Sequence, residues 1–130
     1  MSGLRAEQKR AAQSEETPPA ELEQLAEHSI ELARLVARNQ ATPEALLRKL
    51  GSHRDATVRK WVTAHASTPG DVLGALAQQF PEQLLENPIL DFLLLENPAF
   101  LDGLPVGAIR AIMKRRSTPV AMLRAGGRHD

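Results

Sequence analysis

The stretch Ala64-His65-Ala66-Ser67-Thr68-Pro69 is typical of a helix end, a short connector and the start of a new helix. Its Thr-Pro pair occurs four times, at intervals of 25, 26 and 50 residues: Thr17-Pro18, Thr42-Pro43, Thr68-Pro69 and Thr118-Pro119. Recurrence at a nearly fixed period is the mark of a repeat protein. A Thr N-cap followed by Pro at the first helical position satisfies an orphan amide and pre-sets φ, so each pair predicts a helix start.

Apolar columns accompany the Thr-Pro pairs and predict two helices in each unit. Leucines five and eight residues after each Thr are three apart, so they share one face of a first helix: Leu22, Leu47, Leu73 and Leu123, then Leu25, Leu50 and Leu76. Apolar residues ten and six before the next Thr predict the buried stripe of a second helix: Leu32, Val58 and Ala108, then Val36, Val62 and Ile112.

One Thr-Pro pair is missing between residues 69 and 117, and the columns indicate where the unit begins. Phe80 and Leu84 repeat the spacing of four, and Asn87 falls where Asn39 and His65 fall, which places the next start at residue 90. The leucines aligned by this start are Leu94-Leu95 with Leu46-Leu47. The unit starts are then 17, 42, 68, 90 and 118, which makes four full units and a clipped fifth.

Two short helices cannot bury their own apolar face, so neighbouring units must stack. We therefore predict an all-α fold, a short α-solenoid of stacked two-helix repeats with a period of about 25 residues and one continuous aliphatic seam. The alternative is a globule of five or six helices with coincidental Thr-Pro caps. The predicted boundaries are a flexible N-terminal arm or frayed helix over 1–16, one repeat domain over 17–125 and a disordered tail over 126–130.

Composition agrees with helices and excludes several kinds of site. Hydrophobic residues make up 42% of the 130-residue chain and aromatic residues only 3%, which favours aliphatic helix packing over a β-sandwich. The chain has no Cys and no phosphate-binding glycine loop, and its four histidines lack metal-ligand spacing. We predict no catalytic, cofactor or metal site, so the protein is not expected to be an enzyme. Without an apolar signal core or a membrane span, a cytoplasmic location is expected.

Two segments carry a family resemblance. They are VARNQATPEALLRKL at 36–50 and ATVRKWVTAHASTP at 56–69. They resemble the bacterial leucine-rich repeat variant family over residues 17–79, and more loosely over 106–123. The resemblance implies a right-handed superhelix in which α-helices alternate with shorter, partly 3-10 helices, and it says little about function. Some members add a cysteine-ligated iron–sulfur cluster, which a chain without Cys does not carry over. Residues 80–101 depart from the repeat consensus.

Trp61, the only tryptophan, is one candidate for contact with a partner. Its column, seven residues before the next unit start, contains Leu35, Gln83 and Ala111, so the position is not uniformly apolar and the ring is expected to be partly exposed. An exposed Trp is a favoured anchor for a protein partner. The alternative is that the ring fills a wider gap between repeats.

Polar columns on the second helices are another candidate surface. Residues eight and four before each unit start form a ridge that stacking turns into a ladder: Arg34 and Arg38, Lys60 and Ala64, Glu82 and Glu86, Arg110 and Lys114. Salt bridges between repeats explain the acidic rung between basic ones. The alternative is binding of an acidic partner or a phosphate.

The segment from Ile89 to Leu104 is the strongest departure from a simple repeat, because its apolar residues leave almost no polar face. A helix that is apolar all round must be covered. Either flanking repeats enclose it, or residues such as Phe92 and Leu94 form a patch for a partner or second subunit.

Four polar residues at helix ends are interpreted as structural cap residues: Asn39, His65, Asn87 and Asn97. Asn87-Pro88 and Asn97-Pro98 are predicted to start helices.

These patterns predict a non-enzymatic protein–protein interaction module that binds an unidentified protein or its own copy. Residues 81–105 carry a net charge of −5 and residues 106–130 a net charge of +5, so two copies can pair head to tail. The alternative is nucleic-acid binding by the basic C-terminal residues, which the balance of 16 basic and 16 acidic residues and the lack of interleaved aromatics disfavour. No membrane partner is expected. The candidate residues are Trp61, Arg34, Lys60, Arg110, Lys114, Phe92 and Leu94.

Overall fold

A computed structural model describes residues 2–114, with side chains from residue 5 onward, and this part of the chain is helical with short connectors and no strand. The helices are α1 (Ser2–Gln13), α2 (Pro19–His28), α3 (Ile30–Arg38), α4 (Glu44–Leu50), α5 (Ala56–Ala64), α6 (Gly70–Leu76), α7 (Pro81–Glu86), α8 (Leu90–Glu96), a 3-10 helix (Pro98–Gly103) and α9 (106–114). The all-α class is confirmed. The Thr118-Pro119 pair, Leu123, the clipped fifth unit and the predicted tail lie outside the described residues.

The helices follow the predicted order of a first and a second helix in each unit. First helices α2, α4 and α6 follow the Thr-Pro pairs, and α8 begins at residue 90, where the missing start is predicted. The second helices pack in sequence, α1 on α3, α3 on α5 and α5 on α7. This order of contacts is that of an all-α repeat protein, and a solenoid as the overall shape stays a prediction.

The predicted core columns are buried, but the core is divided. Every described residue of the four apolar columns is at most 8% exposed, which confirms the two-helix pattern. The prediction of one continuous seam is wrong, because the buried residues form two clusters that divide within α6, where Leu76 joins the first cluster and Leu73 the second. The chain also buries polar side chains, and each has a backbone partner: Thr63 Oγ1 donates to Arg59 O of its own helix, His65 Nε2 to Asn39 O, and Asn87 Nδ2 to the carbonyls of Thr63 and His65.

The Thr-Pro pairs start helices by a different device from the predicted one. The N-caps are the prolines Pro18, Pro43 and Pro69, in extended conformation and without a side-chain cap bond. The hydroxyls of Thr42 and Thr68 instead donate to the carbonyls of Val36 and Val62, each over 2.6 Å. The Thr thus closes the C-terminus of the preceding second helix, whose last carbonyls lack intrahelical partners.

A ladder of hydrogen bonds joins the C-caps of successive second helices, which confirms the structural interpretation of these residues. Asn39 Nδ2 donates to the carbonyls of Ala12 and Ser14 over 2.9 and 2.8 Å, and His65 Nε2 donates to Asn39 O over 2.7 Å. Asn87 Nδ2 donates to Thr63 O and to His65 O, each over 2.9 Å. Each side chain therefore satisfies orphan carbonyls of the unit before it.

The predicted N-cap roles of the Asn-Pro pairs are corrected in part. Asn87 is the C-cap of α7, and the N-cap of α8 is Ile89, because the Asn87 side chain is taken up by the preceding unit. Asn97 does precede Pro98 as the N-cap of the 3-10 helix, although its side chain makes no cap bond there.

Helix α1 occupies most of the segment for which we predict a flexible arm or frayed helix. It packs against α2 and α3, Ala12 is fully buried, and Lys9 Nζ lies 2.9 Å from Glu31 Oε2 of α3. Its exposed residues include Arg5, Glu7 and Arg10. In this structure α1 takes the place of a second helix preceding the first unit, and the domain boundary at residue 17 stays a prediction.

Candidate functional site

Helix α5 carries the only tryptophan, and its start is tied to the preceding unit. Asp55 is the N-cap of α5, where its side chain accepts a hydrogen bond from the amide of Val58 over 3.1 Å. The same carboxylate accepts two hydrogen bonds of 2.9 Å from the Arg34 guanidinium on α3. Such a bidentate pair fixes geometry as well as charge, so α3 and α5 are held in one register beside Trp61.

The Arg34–Asp55 pair shifts the pKa of each partner so that its charged form is favoured. The hydrogen bonds from Arg34 lower the pKa of Asp55 from 3.8 to about 2, with help from the Val58 amide, while partial burial opposes the shift. The bond from Asp55 correspondingly raises the pKa of Arg34 above its usual value. Arg34, predicted as a partner-binding residue, is therefore engaged within the protein.

Trp61 lies at the centre of a cationic surface. Its ring is partly buried against the first core cluster, as is Leu35 of the preceding unit. The guanidinium carbon of Arg38 lies 4.6 Å from the ring centroid and Lys60 Nζ lies 5.0 Å from it. Both distances are within the range of cation–π attraction, which holds the two cations beside the ring. We call Leu35, Arg38, Lys60 and Trp61 the Trp61 platform.

The cations of the Trp61 platform differ from the other basic residues that lie between units. Lys9, Arg34, Arg48 and Lys49 pair with carboxylates of a neighbouring unit, namely Glu31, Asp55, Asp71 and Glu23. Within residues 2–114 neither Arg38 nor Lys60 forms an ion pair, and neither does Glu82 or Glu86. Ion pairs between units thus exist, but of the predicted ladder residues named here only Arg34 makes one.

Helix α8 presents an exposed apolar surface. Phe92 is 58% and Leu95 75% exposed, and they lie with Glu96 on one helix face by their i, i+3, i+4 spacing. Leu94 is only 8% exposed and belongs to the second core cluster. It is therefore a core residue and not the partner-binding residue that the sequence predicts. Of the two alternatives for this segment, part is enclosed and part forms a patch.

The predicted alignment of Leu94-Leu95 with Leu46-Leu47 is wrong, because the two pairs differ in burial. Both residues of the earlier pair are buried, whereas Leu95 is exposed. The N-cap of α4 is an extended Pro43, but Ile89 before α8 has helical angles, φ −89° and ψ −1°. Without the Thr-Pro geometry α8 exposes the second leucine of the aligned pair, and leucine alignment alone misses this.

The predicted basic site at the C-terminus is described only in its first residues. Arg110 and Lys114 are exposed on α9. The structure gives no contact between Arg110 and the Trp61 platform, and the remaining basic residues, from Arg115 onward, lie outside the described part. Val106 and Met113 on the same helix are 70% and 58% exposed, and with Phe92 and Leu95 they are the exposed large hydrophobic residues of the described chain.

Two of the open clefts in the described part of the chain are alternative candidate sites. One, of about 330 Å³, lies between α2 and α4 and is lined by polar residues that include Glu27, His28 and Arg54. The other, of about 410 Å³, lies between α6 and the 3-10 helix and is lined by Gly70, Phe100 and their neighbours. In residues 2–114 no group of three or more His, Cys, Asp or Glu side chains has the geometry to hold a metal ion. None of the described helices has the length and apolarity to cross a bilayer.

The sequence predicts Trp61 and Lys60 as candidate partner-binding residues, which stays a prediction, and it does not single out Arg38 or Leu95. Arg38 was placed in the ridge only, although stacking brings the end of α3 beside the Trp61 column of the next unit. The signal was present in the period, because Leu35 and Trp61 share a column and Arg38 follows Leu35 by three residues.

A comparison with protein-family models found one match. The family is described as the leucine-rich repeat variant domain, and the match covers residues 6–66, from within α1 to just beyond the C-cap of α5. The comparisons with curated proteins and with solved structures found no match.

Proposed function

Since residues 6–66 match the model of the leucine-rich repeat variant domain, we propose that the protein is a repeat scaffold that binds an acidic segment of a protein partner on the Trp61 platform. The observation that carries the proposal is the pair of cations held against a partly buried Trp without a carboxylate partner in residues 2–114. A repeat scaffold suits interaction with proteins, because stacked units offer an extended surface.

The chemistry of the platform fits an acidic segment that also carries an apolar side chain. Carboxylates would pair with Arg38 and Lys60, and the aliphatic side chain would cover Trp61 and Leu35, which present apolar surface between the cations. Arg and Trp are enriched among residues that dominate binding energy at interfaces. Rigidity supports the proposal as well, since the bidentate Arg34–Asp55 pair fixes the helices on which the platform lies.

The experiment uses the intrinsic fluorescence of Trp61, the only Trp of the chain. Titration with a short glutamate- and leucine-containing peptide should change the emission, and binding should weaken as salt approaches about 1 M, where the Debye length is about 3 Å. Arg38→Gln and Lys60→Gln should each weaken binding about five-fold, which corresponds to about 1 kcal/mol.

Arg110→Gln is the matched control, because it removes an exposed cation of α9 outside the platform. It should leave the peptide affinity unchanged. If Arg110→Gln weakens binding as much as Arg38→Gln does, the acidic peptide responds to the net charge of the protein and not to the Trp61 platform, and the proposal fails. A single-stranded oligonucleotide that binds more tightly than the peptide, with loss on Arg110→Gln, would instead favour the nucleic-acid alternative. The absence of enzymatic activity and a cytoplasmic location stay predictions.

A further inference from the structure

The surface of α8 has the chemistry of the segment that the Trp61 platform is proposed to take. Phe92 and Leu95 are exposed anchors, and Glu96 lies on the same face. Residues 81–105 contain five carboxylates and no basic residue. Within residues 2–114, Glu96 and the exposed Asp102 have no ion pair. We call Phe92, Leu95, Glu96 and Asp102 the acidic face.

The two surfaces are complementary in charge, and each also presents apolar groups. The Trp61 platform offers cations around an aromatic ring, and the acidic face offers carboxylates around apolar side chains. They belong to different parts of the molecule, because Trp61 packs on the first core cluster, while α8 is anchored by Leu90 and Leu94 in the second. Each surface is thus held by its own cluster, and no ion pair joins the two surfaces within residues 2–114.

We infer that a second copy of this chain is a partner of the Trp61 platform, through the acidic face that its helix α8 and the adjoining 3-10 helix carry. The inference rests on the proposed function, since it uses the same platform, and it names the partner. The contact joins two different surfaces, so it is heterologous: each associated pair leaves one free platform and one free acidic face. Copies can therefore add head to tail, and the exposed charges make the association sensitive to salt.

The experiment is sedimentation velocity with two complementary variants of the full chain. Arg38→Glu with Lys60→Glu disables the platform, and Phe92→Ser with Leu95→Ser disables the acidic face. The wild-type protein should show a mass that rises with concentration past the dimer and falls at high salt. Each variant alone should sediment as a monomer, and an equimolar mixture of the two should form a dimer and nothing larger.

The mixture separates this inference from other modes of association. Each variant keeps the surface that the other lacks, so only head-to-tail pairing restores a dimer in the mixture. A wild-type monomer at every concentration, or oligomers that both variants leave unchanged, would overturn the inference. Leu95→Lys, a single change at a 75% exposed site, should also abolish association and serves if a double variant fails to fold.

Peptide titration of the Phe92→Ser, Leu95→Ser variant distinguishes the two proposals. Its platform is intact and no acidic face of another copy competes for it, so it should bind the acidic peptide at least as tightly as the wild type does. If it does so while the wild-type protein remains monomeric, the second-copy inference fails and the proposed function stands. If the peptide does not bind this variant or the wild type, the proposed function fails as well.

Discussion

His65 shows at the scale of a residue how a buried polar side chain can serve a repeat. It is only 3% exposed, and both ring nitrogens are used: Nε2 donates to Asn39 O, and Nδ1 accepts from the amide of Ser67 over 3.0 Å. Asn87 performs both tasks with an amide group, because its Oδ1 accepts from the amide of Ile89 over 3.0 Å. Burial is tolerated because each polar atom has a partner.

We predict that His65→Asn largely preserves the stability of the fold and that His65→Ala lowers it. An Asn at this position has a donor for Asn39 O and an acceptor for the Ser67 amide, so the free energy of unfolding should stay within about 1 kcal/mol of wild type. Alanine leaves both groups unpaired and should lower it by about 2–4 kcal/mol. Urea denaturation measures both. Equal losses in the two variants would show that ring packing, and not hydrogen bonding, matters at His65.

At the scale of an element, the start of α5 depends on one carboxylate that caps the helix and binds Arg34. The folded protein lowers the pKa of Asp55 to about 2, from 3.8. A lowered carboxyl pKa contributes stability that is fully present above the unfolded value and is lost as pH falls through the folded value. The loss is therefore expected between about pH 4 and pH 2.

We predict that Asp55→Asn makes the acid unfolding profile less steep. The free energy of unfolding of the wild type should fall over that pH window more than that of the variant, because the variant has no carboxylate to protonate. Arg34→Gln should remove most of the same pH dependence, because the Val58 amide still lowers the pKa of Asp55, and the double variant should show the pH dependence of Asp55→Asn alone. Denaturant titrations at successive pH values measure the slopes. Parallel slopes for wild type and Asp55→Asn would contradict the assignment.

Elements also show how far local sequence decides the structure. The positions of α2, α4 and α6 could be predicted, because a Thr-Pro pair restricts φ and removes a donor wherever it stands. The partner of each Thr hydroxyl could not be, since it depends on the end of the preceding helix, as at Thr42 and Val36. Helix α8 lacks this pair, and the predicted alignment of Leu94-Leu95 with Leu46-Leu47 is wrong, because Leu95 is exposed.

At the scale of the whole molecule, the two ends of the described stack differ. Helix α1 covers the first unit and exposes charged residues such as Arg5, Glu7 and Arg10, as a capping element of a repeat array should. This role is difficult to predict from the sequence, because the residue that α1 buries in the core is the small Ala12 and not a leucine. At the other end of the described chain, α9 exposes Val106 and Met113.

We predict that deletion of residues 1–16 destabilises the protein. The deletion removes both carbonyls that Asn39 Nδ2 binds and uncovers the α1-facing side of α3, so the free energy of unfolding should fall by about 2 kcal/mol or more. Glu7→Ala with Arg10→Ala is the control on the exposed side and should stay within about 0.5 kcal/mol of wild type. Thermal and urea unfolding measure both. An unchanged midpoint after deletion would restore the view of a dispensable arm.

The ladder of C-cap side chains has a consequence for how such chains vary in length. Its acceptors are main-chain carbonyls, which every amino acid supplies, so each unit recognises its predecessor without regard to that predecessor's side chains. A gene duplication that inserts one whole module between two Thr-Pro boundaries would keep every rung bonded. Selection could then lengthen or shorten the array by modules, while the outward-facing positions diverge independently.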